Sequence, residues 1–359
     1  MSLTPRLVRL STSHLFIMQE PLSFESLYRS AQKCKRGVIW KDSVAAFSLD
    51  GLARVVKLQD AIANGTYVSR PPHHFRLTYP KQREAASICF RDRVYQRSLN
   101  DNVIYPALTK SFIYDNGACQ LKKGTDFTRN RLKAHLQKAY RRWGTDFYIL
   151  QCDIKGYYAN MDHATVEDYF RKHIPAPYAE KAIQTLREQY PSGVGYSPGS
   201  QMLQLAGIAM LNPLDHFIKE KLRVKHYIRY MDDFLLFHSD RRFLEECQEQ
   251  IAQELTKCKM ELHPNKTKIS PISQGFYFLG FDWRITPTGR VLLHLPSQSV
   301  KRERKHLKGM FHKGLPQEKI EESFRSWTAF AQKGSTRQLT ERMQFLCSCY
   351  NVGNEPSRR

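Results

Sequence analysis

The sequence predicts an α+β fold, and three observations support that prediction. Short apolar runs lie on both sides of Asp232-Asp233 within 226–237, a pattern typical of a tight β-hairpin. Upstream, another apolar run ends at Asp153 and predicts a further strand. From Ser299 to about Asn351 the chain instead has the pattern of basic helices.

The charge of the chain predicts a polyanionic partner. The formal net charge is +22, and phosphate neutralisation dominates the binding of nucleic acids. A membrane-surface binder is the alternative, but no lipidation signal or long apolar run supports it, so we expect no membrane. The eight cysteines are scattered without a CxxC pair, which argues against a zinc site or a disulfide framework. The apolar run at 15–18 is too short for a signal peptide, and we expect a cytoplasmic protein.

The carboxylates at the ends of these strands predict a metal site. Two adjacent aspartates at a turn repel each other, and carboxylate oxygens are ligands that hard divalent cations prefer. A solvated Asp-Asp turn is the alternative, but the apolar flanks and the second strand favour a site. Two-metal phosphoryl transfer needs carboxylates from separate strands to hold two cations about 4 Å apart. We therefore predict that Asp153, Asp232 and Asp233 hold two Mg²⁺ ions, with Mn²⁺ as an alternative.

The same residues resemble a known enzyme family. Tyr230-Met231-Asp232-Asp233 is similar to the reverse-transcriptase signature, and the segment 153–162 resembles the first palm motif of those polymerases. The resemblance implies an RNA-directed DNA polymerase with a right-hand architecture of fingers, an antiparallel-sheet palm and a helical thumb. Its partners would be an RNA template, a DNA product and deoxynucleoside triphosphates. The regions implied are an N-terminal helical extension at 1–70, fingers at 71–145, a palm at 146–290 with an insertion at about 165–205, and a thumb at 291–359.

The resemblance also implies roles for residues around the carboxylates. The backbone of Ile154 joins the metal ligands, and the ring of Tyr158 excludes a ribose 2′-hydroxyl. Tyr157 points the other way, into the core. Gln204 contacts the nascent base pair. Lys266 matches a lysine that protonates the pyrophosphate leaving group, although an exposed lysine without a special role is the alternative.

The N-terminal half is predicted to be mainly helical. Helices are expected at about 23–33 and 43–63, followed by a hairpin at 75–88 with a basic tip. A helix that opens at Phe90 runs towards Pro106. A solvated basic face is the plain reading of this region.

In the resemblance, this basic region matches the fingers. Lys81 and Arg83 are then the candidates for gripping the incoming triphosphate, while Arg91 and Arg93 orient the template or the fingers backbone.

A Gly- and Lys-rich loop at 116–125 leads into a basic helix that ends near Trp143. Such loops bind phosphates through backbone N–H groups and cations, and the resemblance places Lys122 and Lys123 over the template backbone. An ordinary exposed turn is the alternative. Further on, the sequence predicts an apolar helix at 205–217 and an amphipathic helix at 240–259 that covers the palm. Asp162 is predicted to cap the helix that starts near His163 rather than to bind metal.

Two C-terminal segments are expected to bind the template–primer duplex. The aromatic hairpin at 276–283 resembles a primer grip, with Phe278, Leu279 and Gly280 at the primer, and a plain core strand is the alternative. The basic helices that follow suit the phosphates of a duplex and form a thumb. Its candidate contacts are Lys301, Arg302 and Lys305.

The biological role has two candidate readings. The thumb, the loop at 116–119 and the run at 211–217 resemble reverse transcriptases of bacterial diversity-generating retroelements, which carry out mutagenic retrohoming with an accessory protein and a structured RNA. Leu203-Gln204 departs from the Ser-Gln of that group and favours antiviral defence with a non-coding RNA or a second reverse transcriptase. A non-catalytic nucleic-acid-binding protein is a further alternative, against which the intact carboxylates argue. We expect no nuclease or integrase domain after the thumb.

Overall fold

The computed structural model describes residues 20–78, 82–197 and 199–352, without the side chains of residues 83 and 349–352. The described part forms α-helices, β-strands and three short π- or 3₁₀-helical turns. The helices are α1 (Phe24–Lys35), α2 (Asp42–Leu49), α3 (Gly51–Ala63), α4 (Phe90–Leu99), α5 (Tyr105–Thr109), α6 (Thr125–Trp143), α7 (His163–His173), α8 (Ala176–Gln189), α9 (Gln201–Met210), α10 (Asn212–His216), α11 (Arg241–Thr256), α12 (Ser297–His312), α13 (Gln317–Ala331) and α14 (Arg337–Val352). The strands are β1 (His73–Leu77), β2 (Arg83–Ser87), β3 (Tyr148–Cys152), β4 (His226–Tyr230), β5 (Asp233–His238), β6 (Lys268–Pro271), β7 (Phe276–Phe278), β8 (Phe281–Ile285) and β9 (Val291–His294).

The chain divides into two compact units. The first takes in Met1–Ala107, His173–Pro191 and Gly199–Met202, and the second takes in the remainder. The first cut falls after Ala107, within the region predicted as fingers, so helix α6 belongs to the same unit as the strands predicted as palm. The division into four regions stays a prediction.

The first unit is a helical bundle with one hairpin. Helix α1 begins at its N-cap Ser23, whose hydroxyl accepts a hydrogen bond from Ser26 N–H at 3.3 Å, as expected for this residue type. Helix α1 packs on α3 and α4, and α4 packs on α8. The single helix predicted for 43–63 is wrong, because the chain leaves helical geometry at Asp50 (φ −115°, ψ 35°) and restarts at Gly51, a poor helix former.

The predicted hairpin forms from β1 and β2, which pair antiparallel with His73 opposite Ser87. Its basic tip, including Lys81, lies outside the described residues. Helix α4 begins at Phe90 as predicted and ends at Leu99. A π-helical turn at Asn100–Ile104 then leads into α5, so the helical path continues past Pro106. Proline has no N–H to donate, and an irregular turn just before it lets a helical path continue.

The second unit is built on a four-stranded antiparallel sheet in the order β4-β5-β3-β6. Helix α6 packs on β4, and α11 packs on β3, β5 and β6. The buried residues of α11 are Leu244, Cys247, Ile251 and Leu255, spaced by three or four residues as one helical face requires. The predicted hairpin, the strand before Asp153 and the amphipathic helix are thus confirmed, and mixed helices with antiparallel sheets agree with the α+β class.

A second antiparallel sheet, β7-β8-β9, completes this unit. Its aromatic side chains Phe276, Phe278, Phe281 and Trp283 are buried in a cluster with Leu132 and Leu136 of α6. Strand β9 was not predicted. The expected single helix at 205–217 is also wrong, since α9 ends at Met210 and α10 begins at Asn212 with a proline at its start.

The C-terminal helices α12, α13 and α14 confirm the helical prediction for this region and pack around Leu307, Phe311, Ile320 and Met343. Within the described residues, none of the helices combines the length and the apolar character needed to cross a bilayer.

Candidate active site

The tip of the β4–β5 hairpin is a two-residue turn formed by Met231 and Asp232. Tyr230 and Asp233 are the last paired residues on either side. Met231 has a φ of 58°, which an L-residue adopts at a cost of about 1–2 kcal/mol. Its carbonyl oxygen accepts a hydrogen bond from Arg229 Nη1 at 2.8 Å, which stabilises this turn. The turn therefore holds Asp232 and Asp233 at the end of the edge strand β4 and the central strand β5.

Asp153 reaches the same end of the sheet from β3. Cys152 pairs with Phe234, so the residue after β3 lies beside the hairpin tip. The chain at Asp153 is fixed by a hydrogen bond from His263 N–H to its carbonyl oxygen at 2.7 Å, and by one from Lys155 N–H to Glu261 O at 3.0 Å. These bonds flank the buried Ile154 without using its carbonyl oxygen.

The three carboxylates, which we call the carboxylate cleft, repel one another. Burial raises the pKa of Asp232, and the charge of Asp153 raises it further. Burial, followed by the charges of Asp232 and Asp153, raises the pKa of Asp233 to about 7, and a hydrogen bond with the Asp153 side chain adds to this. Lys266 supplies a cation, with its Nζ 3.0 and 3.1 Å from the two Asp153 oxygens. The cleft thus contains three carboxyl groups, and the Lys266 ammonium contacts one of them, Asp153.

This donor set fits hard divalent cations, which bind clustered carboxylate and carbonyl oxygens and relieve their repulsion. With the side chains as they lie, no three His, Cys, Asp or Glu residues in the described part of the chain are arranged to hold one ion together. The Lys266 ammonium contacts the Asp153 carboxylate instead.

Behind the hairpin lies a second set of buried polar groups, which we call the inner ion pair. Asp215 and Arg229 are both fully buried and form a two-point contact, with Nε–Oδ1 at 2.7 Å and Nη2–Oδ2 at 2.5 Å. The Tyr227 hydroxyl donates to the same carboxylate at 2.6 Å, and Arg229 Nη2 also donates to Ile208 O at 3.0 Å. The remaining guanidinium nitrogen holds the Met231 carbonyl, so this pair supports the turn that carries Asp232.

Two adjacent tyrosines follow Asp153 and differ in their contacts. The hydroxyl of the buried Tyr157 donates to Gly207 O on α9, which agrees with its predicted place in the core. The hydroxyl of Tyr158 is also buried but has no hydrogen-bond partner among the described residues. A Cβ at Gly207 would lie 2.8 Å from that hydroxyl, so only glycine permits this packing. Burial, then the charges of Cys119 and Asp232, raises the pKa of Tyr158, which therefore lies beside the cleft.

The loop at 116–125 meets the hairpin tip. Gly117 N–H donates to Arg229 O at 3.0 Å, and Arg229 N–H donates to Asp115 O at 3.1 Å. Cys119 Sγ lies 3.8 Å from both Gln204 Oε1 and Met231 Sδ. Gln204 is exposed next to the buried Leu203, which places its amide at the entrance to the cleft.

The two candidate lysines of this loop have different surroundings. Lys123 Nζ donates to Tyr114 O at 2.9 Å and Asn116 O at 3.0 Å, and it lies over the Tyr114 and Phe127 rings. Its ammonium stabilises the loop itself, while Lys122 is exposed.

The candidate cations of the first unit also differ. Arg91 donates to Asp92 Oδ1 at 3.0 Å and to Val68 O at 2.6 Å, so its guanidinium is held within the protein. Arg93 is partly exposed. Lys81 and the side chain of Arg83 lie outside the described residues, and their gripping of a triphosphate stays a prediction.

The predicted primer grip has a buried stem and an accessible turn. The Phe278 side chain is 1% exposed and belongs to the core, so the alternative reading as a core strand applies to it. Leu279 and Gly280 form the turn between β7 and β8 with positive φ values of 47° and 89°. Arg129 Nη1 donates to Leu279 O at 3.4 Å and fixes this turn.

The candidate cations of the thumb lie together on α12. Lys301, Arg302 and Lys305 are exposed on this helix, and their spacing places them on one side of it.

Sequence reasoning missed Arg229, Asp215 and Gly207. Arg229 is a cation within the buried strand β4, between Ile228 and Tyr230, which signals a buried partner. Asp215, in the apolar run 211–217, was the acid available to provide it. Nothing in the local pattern of α9 indicates the close contact that Gly207 makes.

A family model described as reverse transcriptase (RNA-dependent DNA polymerase) matches residues 81–283. The matched region includes the carboxylate cleft, Lys266, the inner ion pair and both tyrosines. A search of curated proteins gives no match.

Proposed function

The chain belongs to the reverse transcriptase family and is an RNA-directed DNA polymerase, and from this premise we propose that the carboxylate cleft is its polymerisation site. An enzyme of this class is a nucleotidyltransferase that copies an RNA template into DNA from deoxynucleoside triphosphates. The observation that supports the site is the convergence of Asp153 from β3 with Asp232 and Asp233 from the β4–β5 hairpin.

In this proposal the three carboxylates and the Ile154 carbonyl would hold two Mg²⁺ ions. When bound, these ions would lower the pKa of the primer hydroxyl and neutralise charge on the triphosphate. The rigid β4–β5 turn keeps Asp232 in place during the reaction, because Arg229 holds the Met231 carbonyl from behind. The Lys266 ammonium, which lies on Asp153, supplies a proton to the leaving pyrophosphate.

We assign substrate selection to Tyr158 and Gln204. The Tyr158 ring packs on Tyr157 at 5.3 Å and against Gly207, so it cannot withdraw to admit a larger sugar. A ring fixed beside the carboxylates excludes a ribose 2′-hydroxyl by overlap. The exposed amide of Gln204, at the entrance to the cleft, contacts the nascent base pair.

Exposed cations and one turn are proposed to bind the template and primer. Lys301, Arg302 and Lys305 on α12 bind phosphates of the duplex, and the Leu279-Gly280 turn contacts the primer end. Lys122 and Arg93 bind the template backbone. Lys81 and Arg83 grip the triphosphate.

The test is extension of a DNA primer on an RNA template with the full chain. We expect Mg²⁺-dependent incorporation of deoxynucleotides by the wild-type protein and by Asp168→Asn, a control that removes an exposed carboxylate outside the cleft. Incorporation that continues in Asp153→Asn would contradict the assignment of the site. Ribonucleotide incorporation that stays unchanged in Tyr158→Val would contradict the role of Tyr158.

For the biological role, we propose bacterial antiviral defence with a non-coding RNA template or a partner protein. The supporting observation is the Leu203-Gln204 pair, in which a buried leucine replaces the polar serine of the retroelement group. Expression in a phage-sensitive bacterium is expected to reduce plaque formation with the wild-type protein and not with Asp232→Asn. Equal plaquing, together with a variable-protein gene and template repeat beside this gene, would favour mutagenic retrohoming instead.

A further inference from the structure

The first unit contains a cleft that the polymerisation site does not use. It lies between α2, α3 and the start of α4, has a volume of about 440 Å³, and we call it the basic cleft. Its floor is apolar and consists of Phe47, Leu58 and Phe90, each at most 6% exposed. Clefts of this size accommodate a small organic group.

The rim of the basic cleft is cationic. Arg54, Lys57, Arg70 and Arg91 line it, and within the described part of the chain no acidic residue does. Arg54 and Lys57 lie three residues apart on α3 and therefore on one side of that helix. Arg54, Lys57 and Arg70 precede the region 81–283 that matches the family, whereas Arg91 and the floor residue Phe90 lie within it.

The positive charge of this rim is largely uncompensated. Among the described residues, no carboxylate lies within 4 Å of the Lys57 ammonium or the Arg70 guanidinium. Arg54 lies 3.9 Å from the exposed Asp50, a contact of little energetic weight, and its guanidinium lies 5.9 Å from the centroid of the Phe47 ring. Arg91 already donates hydrogen bonds to Asp92 Oδ1 and Val68 O. It therefore contributes positive charge to the rim, but these donor nitrogens are already used.

An occupant of this cleft must combine a flat apolar group with negative charge on either side of it. A lipid offers charge at one end only, and its chain needs a longer channel. An acidic peptide offers charge, but it offers a flat group only where an aromatic side chain lies between its acids, so it serves as a competitor in the test below. A nucleotide in a single strand offers a base for an apolar surface and a phosphate on each side for cations, which is how unpaired strands are commonly bound.

We propose that the basic cleft binds one unpaired nucleotide of an RNA strand. The base covers Phe47, Leu58 and Phe90, and the flanking phosphates contact Arg54, Lys57 and Arg70. The RNA is the strand that a reverse transcriptase copies, so the inference rests on the proposed function for the identity of the ligand but not for the binding itself. The cleft thereby anchors a single-stranded part of the template RNA.

The test uses the full chain carrying Asp232→Asn, so that binding is measured without polymerisation. A double variant, Arg54→Gln with Lys57→Gln, is compared with Arg36→Gln plus Lys41→Gln, which removes two exposed cations of the same unit that do not line the cleft. The affinity for a fluorescent single-stranded RNA is measured against salt concentration. Each phosphate contact contributes about 0.7 to the salt slope for single strands, so the cleft variant is expected to lose about 1.4 of slope and at least tenfold in affinity.

A third variant tests for the base itself. Ala46→Phe places a ring in the cleft without changing the charge of the cleft. We expect this variant to bind single-stranded RNA several-fold more weakly and to bind duplex RNA with unchanged affinity. Thermal melting of each variant checks that the first unit is folded.

Equal losses in the two double variants, or no effect of Ala46→Phe, would overturn the inference, as would full competition by an acidic peptide of equal charge. If primer extension fails but the cleft variants bind as expected, the proposed function fails alone. If extension succeeds and the cleft variants bind like their controls, the inference fails alone.

Discussion

The carboxylate cleft and the inner ion pair both contain buried acids, but the charge of these acids is compensated to different extents. Behind the hairpin, Asp215 is fully paired by Arg229 and by the Tyr227 hydroxyl. At the tip, the pKa values of Asp232 and Asp233 are raised by burial and by neighbouring charge. Asp215 is compensated by Arg229, whereas at the tip aspartates the nearby charges of Lys266 and, for Asp232, Arg229 offset only part of the burial and repulsion. This difference separates an acid that holds the fold from acids kept for a ligand.

The same contrast repeats at Tyr157 and Tyr158, where the core hydroxyl is bonded and the cleft hydroxyl is not. Within the described part of the chain, the Tyr158 hydroxyl therefore lacks a hydrogen-bond partner, and the charges of Asp232 and Asp233 are not fully compensated. Such sites lower the stability of a protein in return for function. The predictions below test this division, beginning with the largest effect.

Replacing Asp232 is expected to remove activity without lowering stability. A divalent ion supplies several kcal/mol of transition-state stabilisation, which corresponds to a loss of about a thousandfold or more in the rate of primer extension for Asp232→Asn. The melting temperature in a metal chelator is expected to stay equal or rise, because an amide removes a like charge from the cleft. Asp168→Asn serves as the matched control for both measurements. A large fall in melting temperature for Asp232→Asn would show that this acid, like Asp215, holds the fold.

Breaking the inner ion pair is expected to have the opposite profile. Arg229→Met leaves Asp215 buried without its cation, which costs about 3–5 kcal/mol in the free energy of unfolding. The double variant Arg229→Met with Asp215→Leu leaves no buried charge and is expected to recover much of that loss. Urea unfolding of the wild type, both single variants and the double variant measures the coupling. Additive single losses would contradict the pairing.

Lowering the pH is expected to destabilise the second unit through two buried titratable residues, His226 and Asp115. Burial and the charge of His135 lower the pKa of His226 to about 4, and His226 Nδ1 lies 3.3 Å from His135 Nδ1. Burial opposes ionisation of Asp115, but hydrogen bonds from His135 and Arg131 outweigh it and lower its pKa to about 2.

Both groups bind protons more readily in the unfolded chain, so the free energy of unfolding falls as the pH decreases. The His226 contribution is lost between about pH 6.5 and 4, by at most about 3 kcal/mol. The Asp115 contribution is lost below about pH 4. His226→Gln is expected to flatten only the upper part of this curve, measured by chemical unfolding at a series of pH values. An unchanged slope above pH 4 in that variant would contradict the role of His226.

The tyrosine pair gives the smallest effect. Tyr157→Phe leaves the Gly207 carbonyl without its donor and is expected to cost about 1–3 kcal/mol of stability. Tyr158→Phe removes a buried hydroxyl that has no described partner, so stability is expected to stay the same or rise slightly. Unfolding midpoints of the two variants provide the comparison. An equal loss in both would mean that the cleft hydroxyl is satisfied after all.

The sequence predicted the features that depend on local pattern. Strand alternation around 226–237 and the apolar run before Asp153 are local, and so is the cap at Asp162, whose carboxylate accepts from Thr165 N–H at 3.0 Å. Features that depend on distant contacts were missed. The Arg229–Asp215 pair joins a strand to a helix, and Gly207 is needed only because Tyr158 packs against it.

The surroundings of two candidate contacts also depend on more than the local pattern. Sequence alone does not show that the Lys123 ammonium is used by its own loop, or that Phe278 is enclosed by the core. The breaks at Asp50 and after Met210 escaped notice because the apolar periodicity continues across them.

The central claim is that Asp153, Asp232 and Asp233 together form a cation site, and Mn²⁺ binding tests it most directly. Electron paramagnetic resonance of the full chain, titrated with Mn²⁺ without nucleotide or RNA, counts bound ions. We expect the wild type and Asp168→Asn to bind Mn²⁺ alike, and Asp232→Asn to lose that binding. Equal binding by all three proteins would contradict the account.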